Sequence, residues 1–410
     1  MKRAIRCLWG TLAVFCGVLL GTIGYFGQAL PEQFTVTQGQ TLSLGEWVDS
    51  SPLPENGKSM AVTALKAGST YQARLRLLGL FPLKDVAVSV TEEPVVMVCG
   101  SPFGIKLYTD GVLVVGMSEV DTVAGSANPA RAAGVCIGDT ILAINGQAVT
   151  TNKEVSALIN ACEGKAVTLR LRRDDVEFNA SFTPVRPEGE TGYRAGLWVR
   201  DSTAGVGTLT FYDPETGTFG GLGHAVCDVD TGVEMSLSGG EIVPARIFGV
   251  EKSSAGEPGE LNGCFEAGTL GELRYNGTQG LYGILTNPPK GYRLMPVARR
   301  QQVETGVAQV LVTLDGTEPQ LYDIAIKQIK YGGASARHMV VEVTDSRLLA
   351  LAGGIVQGMS GSPILQNGKL VGAVTHVLVD DPTKGYAIFA ENMLETAQSV
   401  AKSNKLKDAS

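Results

Sequence analysis

Fifty-two of the 410 residues are glycine, close to twice the ~7% of an average protein, and this narrows the backbone choices more than any other feature. Glycine adopts the positive φ angles that hairpin turns and bulges require, and it weakens helices. With aromatic residues at only 6%, the chain is expected to be mainly β, built from short strands and tight turns. Hydrophobic residues at 44% and charged residues at 18% can fill packed cores and exclude an intrinsically disordered chain. The length allows about two to four domains at ~100–200 residues each.

The formal net charge of −7 argues against a nucleic-acid binder, which carries a basic face. Away from the N-terminus the basic residues cluster once, at Lys290, Arg293, Arg299 and Arg300, and read as a solvated loop. The seven cysteines (Cys7, Cys16, Cys99, Cys136, Cys162, Cys227 and Cys264) include no C-x-x-C pair, which removes the usual zinc and thioredoxin motifs. The five beyond the N-terminal segment are expected as small core residues rather than as a disulfide framework. There are three histidines, His224, His338 and His376, and no H-E-x-x-H. A zinc metallopeptidase is therefore excluded, and any catalysis has to work with few imidazoles.

Lys2, Arg3 and Arg6 precede 25 uncharged residues, 7–31, enough to cross a hydrocarbon core that needs about 20. Basic residues ahead of the stretch keep the N-terminus cytoplasmic and place everything after Glu32 across the membrane. Gly27-Gln28-Ala29 is a small-x-small cleavage site, but the stretch is long for a cleaved signal, so an uncleaved or slowly cleaved anchor is expected.

Residues 32–98 carry runs such as Ala73-Arg74-Leu75-Arg76-Leu77 and Val86-Ala87-Val88-Ser89-Val90. They alternate as half-buried strands do, and a small β-rich module is expected. Over 101–185 the order is more specific. Phe103-Gly104-Ile105-Lys106-Leu107 reads as a strand and residues 111–116 (GVLVVG) as a second; residues 128–134 (NPARAAG) form a short helix and Asn145-Gly146 a hairpin turn. Thr151 and Glu154 make a capping box for a helix with Val155, Leu158, Ile159 and Cys162 on one face, and Val167-Thr168-Leu169-Arg170-Leu171 is the closing strand. This order, with NPARAAGVCIGDTILAINGQAV at its centre, resembles a bacterial PDZ domain. The resemblance implies that a peptide adds as a strand beside the helix, its carboxylate held by a glycine loop. That loop would be residues 101–105, which read Pro102-Phe103-Gly104-Ile105 in place of G-L-G-F. Phe103, Gly104, Ile105, Val155 and Ile159 are the implied peptide-binding residues.

Residues 184–192 (PVRPEGETG) read as a linker. Residues 193–410 form the largest unit, with short strands and glycine turns that suit two packed barrels or a sandwich. Its sharpest motif is Gly358-Met359-Ser360-Gly361-Ser362-Pro363. A serine nucleophile needs its Oγ exposed on a tight turn and backbone N–H groups aimed at the developing oxyanion. The flanking glycines permit both, with the N–H groups of Gly358 and Ser360 as the candidate oxyanion hole. The segment resembles the G-D-S-G-G-P hairpin of chymotrypsin-like serine peptidases, with methionine for the aspartate. The base has to come from the three histidines. His224 lies in a glycine-rich corner upstream of the serine. His376, 16 residues after it, is the second choice and a possible substrate-cleft residue, while His338 reads as structural. Cys227 with His224 is a third arrangement of poor geometry. The orienting carboxylate stays open among Asp228, Asp230, Asp315, Asp323 and Asp345. Asp228-Val229-Asp230-Thr231-Gly232 looks like the start of a calcium loop, but its twelfth position is Gly239 rather than glutamate, so no metal site is expected.

Over nearly the whole chain, and most specifically in GGLGHAVCDVDTG and GGIVQGMSGSPILQNGKLVGAVTHVLVDDPTKGYAIF, the sequence resembles the SpoIVB peptidase family of endospore-forming Firmicutes. The resemblance implies a serine endopeptidase with Ser360 as nucleophile, His224 as base and Asp345, fifteen residues before the serine, as the third member. It implies passage across the forespore membrane into the intermembrane space, membrane-anchored or secreted, and self-cleavage. It also implies cleavage of a membrane-bound regulator, which frees an intramembrane metallopeptidase to process a sigma-factor precursor. The PDZ domain would control self-cleavage and targeting. No metal or organic cofactor is needed. A reading from another class is a catalytically silent, membrane-associated PDZ adaptor; an HtrA-type enzyme is opposed by domain order. The expected architecture is a signal or transmembrane segment (1–31), the β-rich module (32–98), a PDZ domain (101–185) and a chymotrypsin-like double-β-barrel peptidase domain (193–410).

Overall fold

The structure, a computed structural model, describes residues 2–45, 47–54, 61–288, 293–332 and 336–408, leaving aside the side chains at 2–8, 10–12, 15 and 407–408. The expected membrane segment is a single helix, α1 (Lys2–Ala29). Some of its side chains are not described, and among the described residues no helix is long and apolar enough to cross a membrane. Phe26 and Leu30 lead into the module, formed by β1 (Gln33–Thr37), β2 (Val48–Pro52), β3 (Thr70–Leu77) and β4 (Phe81–Thr91) in the order β1-β4-β3-β2. Tyr71, Ala73 and Leu75 of β3 and Val86, Val88 and Val90 of β4 point into its core, as the alternation in sequence requires. The module ends earlier than residue 98, because β5 (Val95–Val98) pairs with later strands instead.

The two strands expected at 103–107 and 111–116 are one, β6 (Pro102–Met117). Gly111 is where it passes from one ladder to another. Its φ is +87°, and a Cβ there would meet the Ile141 carbonyl oxygen at 2.7 Å, so no other residue fits. Beyond Gly111 comes the PDZ unit: the β7 (Val120–Thr122) and β8 (Gly125–Ala127) hairpin, α2 (Pro129–Ala132), β9 (Thr140–Ile144), β10 (Gln147–Ala148), α3 (Asn152–Ala161), β11 (Val167–Arg173) and β12 (Val176–Phe182). Thr151 and Glu154 form the capping box of α3, as expected. Val155 and Ile159 pack with Ile141, Leu169 and Leu171. The chain returns along β13 (Leu197–Asp213), whose first residues pair with β6 beyond Gly111 and whose later ones pair with β6 before it. The PDZ unit is thus inserted into the peptidase unit rather than preceding it. Residues 184–192, expected as a linker, fold back on it: Val185 and Arg194 pair, and the Glu188 N–H donates to the Asp121 carbonyl at 2.9 Å.

With β14 (Thr218–Gly221), β15 (Leu237–Val250), β16 (Leu261–Phe265), β17 (Gly271–Gly277) and β18 (Gly280–Leu285), the early part of β6 closes a first barrel in the order β6-β15-β17-β18-β14-β13. Phe103, Ile105, Leu107, Phe219 and Leu281 fill it. This corrects the expectation that Phe103, Gly104 and Ile105 bind a peptide. Gly104 faces Val206 on one side and Val243 on the other, so both edges of the strand are already hydrogen-bonded and nothing can add there. After β19 (Leu294–Pro296) a second closed barrel follows. It contains β20 (Gly306–Val312), β21 (Gln320–Ile329), β22 (Met339–Val343), β23 (Pro363–Gln366), β24 (Lys369–Val377) and β25 (Lys384–Phe389), with α4 (Ser346–Ala352) between β22 and β23. The final helix, α5 (Ala390–Asp408), sets Met393, Leu394 and Ala397 against Tyr282 of one barrel and Ile388 of the other.

Two further expectations change. Arg299 and Arg300 are not a solvated loop: both bind the buried Glu391 of α5, at 3.2 and 2.7 Å, while Lys290 lies outside the described residues. Of the cysteines expected in cores, Cys99 is buried and Cys162 half-buried, but Cys136, Cys227 and Cys264 are exposed.

Candidate active site

The nucleophile motif is a loop between α4 and β23, stitched to the first barrel by threonines of β13. The Thr208 N–H and hydroxyl donate to the carbonyls of Ser360 (3.1 Å) and Gly358 (2.9 Å), and the Thr210 hydroxyl donates to that of Gly361 (2.7 Å). Gly361 can only be glycine: φ is +94° and a Cβ would lie 2.1 Å from the Thr208 carbonyl oxygen. The carbonyls of Gln357 and Met359 accept from the N–H groups of Leu261 and Ser362, both at 2.9 Å. In a trans peptide the N–H points opposite to the C=O, so the Gly358 and Ser360 N–H groups point away from those partners. Among the described residues neither has a protein acceptor. Both donors are thus available to a developing oxyanion, as an oxyanion hole requires.

His224 follows β14 on the facing barrel. Its Nδ1 lies 2.7 Å from the Ala225 carbonyl oxygen. A carbonyl only accepts, so the neutral ring carries its proton on Nδ1 and leaves the Nε2 lone pair free as a base. Burial holds the imidazole below its ordinary pKa, partly offset by the Ala225 contact. Ser360, His224 and His376 all line one cavity of about 740 Å³ between the barrels, with residues 203–206 of β13, Leu261 and Phe265. The His224 and His376 rings are 4.8 Å apart. The Ser360 hydroxyl donates to the Thr375 carbonyl at 2.8 Å, and among the described residues no hydrogen bond joins it to His224. Thr375 sits at a register shift in the β24–β25 ladder, which frees its carbonyl for the serine.

Asp345 is not brought to this cavity. It caps α4, accepting from the Arg347 N–H at 2.8 Å, and it pairs with the Arg347 guanidinium at 2.8 Å. That guanidinium, above all, keeps the carboxyl well below the usual carboxylate range. The expected Asp345–His224 contact is therefore corrected: the Ala225 carbonyl occupies the Nδ1 side of the ring, and Asp345 shapes the helix that leads into the nucleophile loop. Cys227 lines the cavity too, but partial burial of its sulfur and the neighbouring Glu234 and Asp228 raise its pKa, the reverse of what a thiolate nucleophile needs. His338 is buried and stacks on Phe389 at 5.0 Å, a packing role. Sequence reasoning missed Thr208 and Thr375, which carry no motif and act through strand register.

Among the described residues the buried Nδ1 of His376 has no partner, and burial, then His224 and Arg337, push its pKa down to about 4. An unfolded histidine titrates near 6.5. Between those values the unfolded chain holds a proton that the folded chain does not, so stability rises with pH across the window and is lost as pH falls. Thermal scans of Ser360→Ala protein from pH 7 to 4.5 should show a falling midpoint, less steep in the additional His376→Gln variant; identical slopes would refute this.

A second cavity, of about 680 Å³, lies between α3 and the start of β13, lined by Val155, Ile159, Leu197, Trp198 and Val199. Here Val155 and Ile159 do face a groove. Its strand wall is residues 197–199, whose only ladder partner among the described residues is β6, leaving the other edge open to an added strand.

With the tautomer of the base set and Ser360, Gly358 and His224 lining one cavity, acyl transfer to a serine needs no further group, and the chain is a serine peptidase of the double-barrel class. A family model described as SpoIVB peptidase S55 matches residues 191–394, and a PDZ-domain model matches 121–173. The chain belongs to the SpoIVB peptidase family. Among solved structures it is similar to the active form of the Rv3671c protease from M. tuberculosis, at 14% identity over 62% of this chain and 88% of that one, with a TM-score of 0.27. It is also similar to the HtrA-type protease AlgW with a decapeptide, at 14% identity over 59% and 67%, TM-score 0.29. No curated protein matches it.

Proposed function

We propose that this chain is a sporulation signalling endopeptidase, delivered across the forespore membrane by its N-terminal segment. It cleaves itself and a membrane-bound regulator of an intramembrane metallopeptidase, which then processes a sigma-factor precursor. The family match supports this reading, and the convergence of Ser360 and His224 on one cavity carries it. The uncharged stretch 7–31 behind Lys2, Arg3 and Arg6 in the sequence supports membrane attachment as an anchor. In the reaction the Ser360 hydroxyl leaves the Thr375 carbonyl and gives its proton to His224 Nε2 as Oγ attacks a peptide carbonyl. The Gly358 and Ser360 N–H groups hold the oxyanion, His224 returns the proton to the leaving amine, and water releases the acyl group.

The test is full-length protein in detergent, as wild type and Ser360→Ala, followed by N-terminal sequencing of the products and by reaction with a fluorophosphonate. Wild type should cleave itself and be labelled, and the variant should do neither. Equal self-cleavage by both proteins would sink the reading. No labelling of either would favour the silent PDZ adaptor, a reading to which the Ser360–Thr375 bond lends its support.

A further inference from the structure

The Asp228-Val229-Asp230-Thr231-Gly232 motif, four residues after His224, has no part in the chemistry above. In the structure Asp228 closes it into a turn. One carboxylate oxygen accepts from the N–H groups of Asp230 (3.1 Å) and Thr231 (2.9 Å) and from the Thr231 hydroxyl (2.9 Å). The other takes the Arg200 guanidinium, whose second arm reaches Asp230 at 2.7 Å. Asp228 is fully buried there, while Arg200 and Asp230 are partly exposed. Burial would raise the Asp228 pKa, but the Thr231 and Arg200 contacts outweigh it and keep the carboxylate ionised.

The loop that carries His224 thus has two anchors. Asn276 of β17 grips Val226 through both its N–H (2.8 Å) and its carbonyl (3.0 Å). Arg200 of β13 holds the turn that follows. On β13, Arg200 lies between residues 197–199, which wall the PDZ groove, and residues 203–206, which wall the catalytic cavity. The β6–β13 ladder shifts register between Arg200 and Ser202, so the guanidinium sits where the strand leaves the PDZ sheet for the barrel.

We infer that Arg200 is a positioning residue for His224: by clasping Asp228 and Asp230 to β13 it sets the loop from which the imidazole reaches Ser360. It touches neither substrate nor serine. This rests on the serine-peptidase reading, and it places the PDZ groove on the same strand as the clasp, so that a peptide added at residues 197–199 bears directly on it.

The chain has three histidines, so ¹³C-histidine labelling of full-length Ser360→Ala protein gives three ring signals, with that of His224 identified through His224→Gln. Arg200→Gln should displace the His224 signal and its titration midpoint and leave His338 in place. Arg200→Lys, which keeps one charged contact, should restore most of the wild-type signal. With Ser360 present, Arg200→Gln should slow fluorophosphonate labelling about 10- to 100-fold, the cost of a small misplacement of the base. An unmoved His224 signal in folded Arg200→Gln protein overturns the inference, whatever the labelling rate. If that variant does not fold, Asp230→Asn decides: it removes only the outer, exposed contact, and an unmoved His224 there overturns the inference as well. A displaced His224 in a protein whose wild type is never labelled supports Arg200 and refutes the peptidase reading.

Discussion

Full-length protein carrying His224→Gln should react with a fluorophosphonate about 10⁴-fold or more slowly than wild type, because serine and base act as one unit and losing either leaves only the oxyanion donors and binding. Glutamine keeps the volume and hydrogen-bonding capacity of the imidazole but cannot take the proton. His376→Gln should cost about tenfold or less, since His376 lies against the face of His224 at 4.8 Å while Ser360 is engaged by Thr375. A larger loss in His376→Gln than in His224→Gln would exchange the two roles. The pH profile adds a second reading. Only neutral His224 is a base, and burial holds it below its ordinary value, so the acid limb of the labelling rate should have its midpoint below about 6.5. A carboxylate at Nδ1 would have the opposite effect, favouring the charged ring. A midpoint clearly above 6.5 would therefore mean that an aspartate, and not the Ala225 carbonyl, faces the base in the working enzyme.

Glu391→Ala should destabilise the protein by about 3–5 kcal/mol, the cost of leaving a buried charge without its partner. Glu391 is 1% exposed and meets both Arg299, itself 9% exposed, and Arg300. It also accepts from the Arg300 N–H at 3.1 Å. Arg299 reaches on to the Thr91 hydroxyl and the Glu92 carbonyl at the end of β4. One carboxylate thus ties α5 to the segment after β19 and, through Arg299, to the N-terminal module. Urea denaturation of the Ser360→Ala protein, followed by circular dichroism, measures the loss without interference from self-cleavage. Glu391→Gln should lose less, because the amide oxygen still accepts from Arg300. A change below about 1 kcal/mol in Glu391→Ala would mean that water replaces the carboxylate and the site is not closed.

Much of this was legible in local sequence for a local reason. The α3 capping box depends on residues three apart, the Asn145-Gly146 turn on two adjacent residues, and the alternation in β3 and β4 on a period of two, so each could be read without knowing what packs against it. The nucleophile loop was legible in the same way, since glycines on both sides of Ser360 are required wherever the loop sits. Local sequence does not place the peptide groove, because residues 101–105 and residues 193–199 can each be read as a glycine-containing turn before a strand. Only the ladder shows which strand keeps a free edge. The cluster at Arg299 and Arg300 reads locally as solvated because its partner, Glu391, lies about ninety positions away.

The sequence by itself determined the chemistry and the class of fold: glycine turns and short alternating runs compel strands, and a serine between glycines with few imidazoles selects acyl transfer. The tertiary structure decided which groups meet. It paired β6 with both β13 and β15, which buried the expected peptide loop and inserted the PDZ unit into the first barrel. It set the Ala225 carbonyl rather than Asp345 against His224, and it brought Arg200 to Asp228. Each of these depends on pairing between residues far apart in the chain, where register and barrel closure choose the partners and no local pattern encodes them.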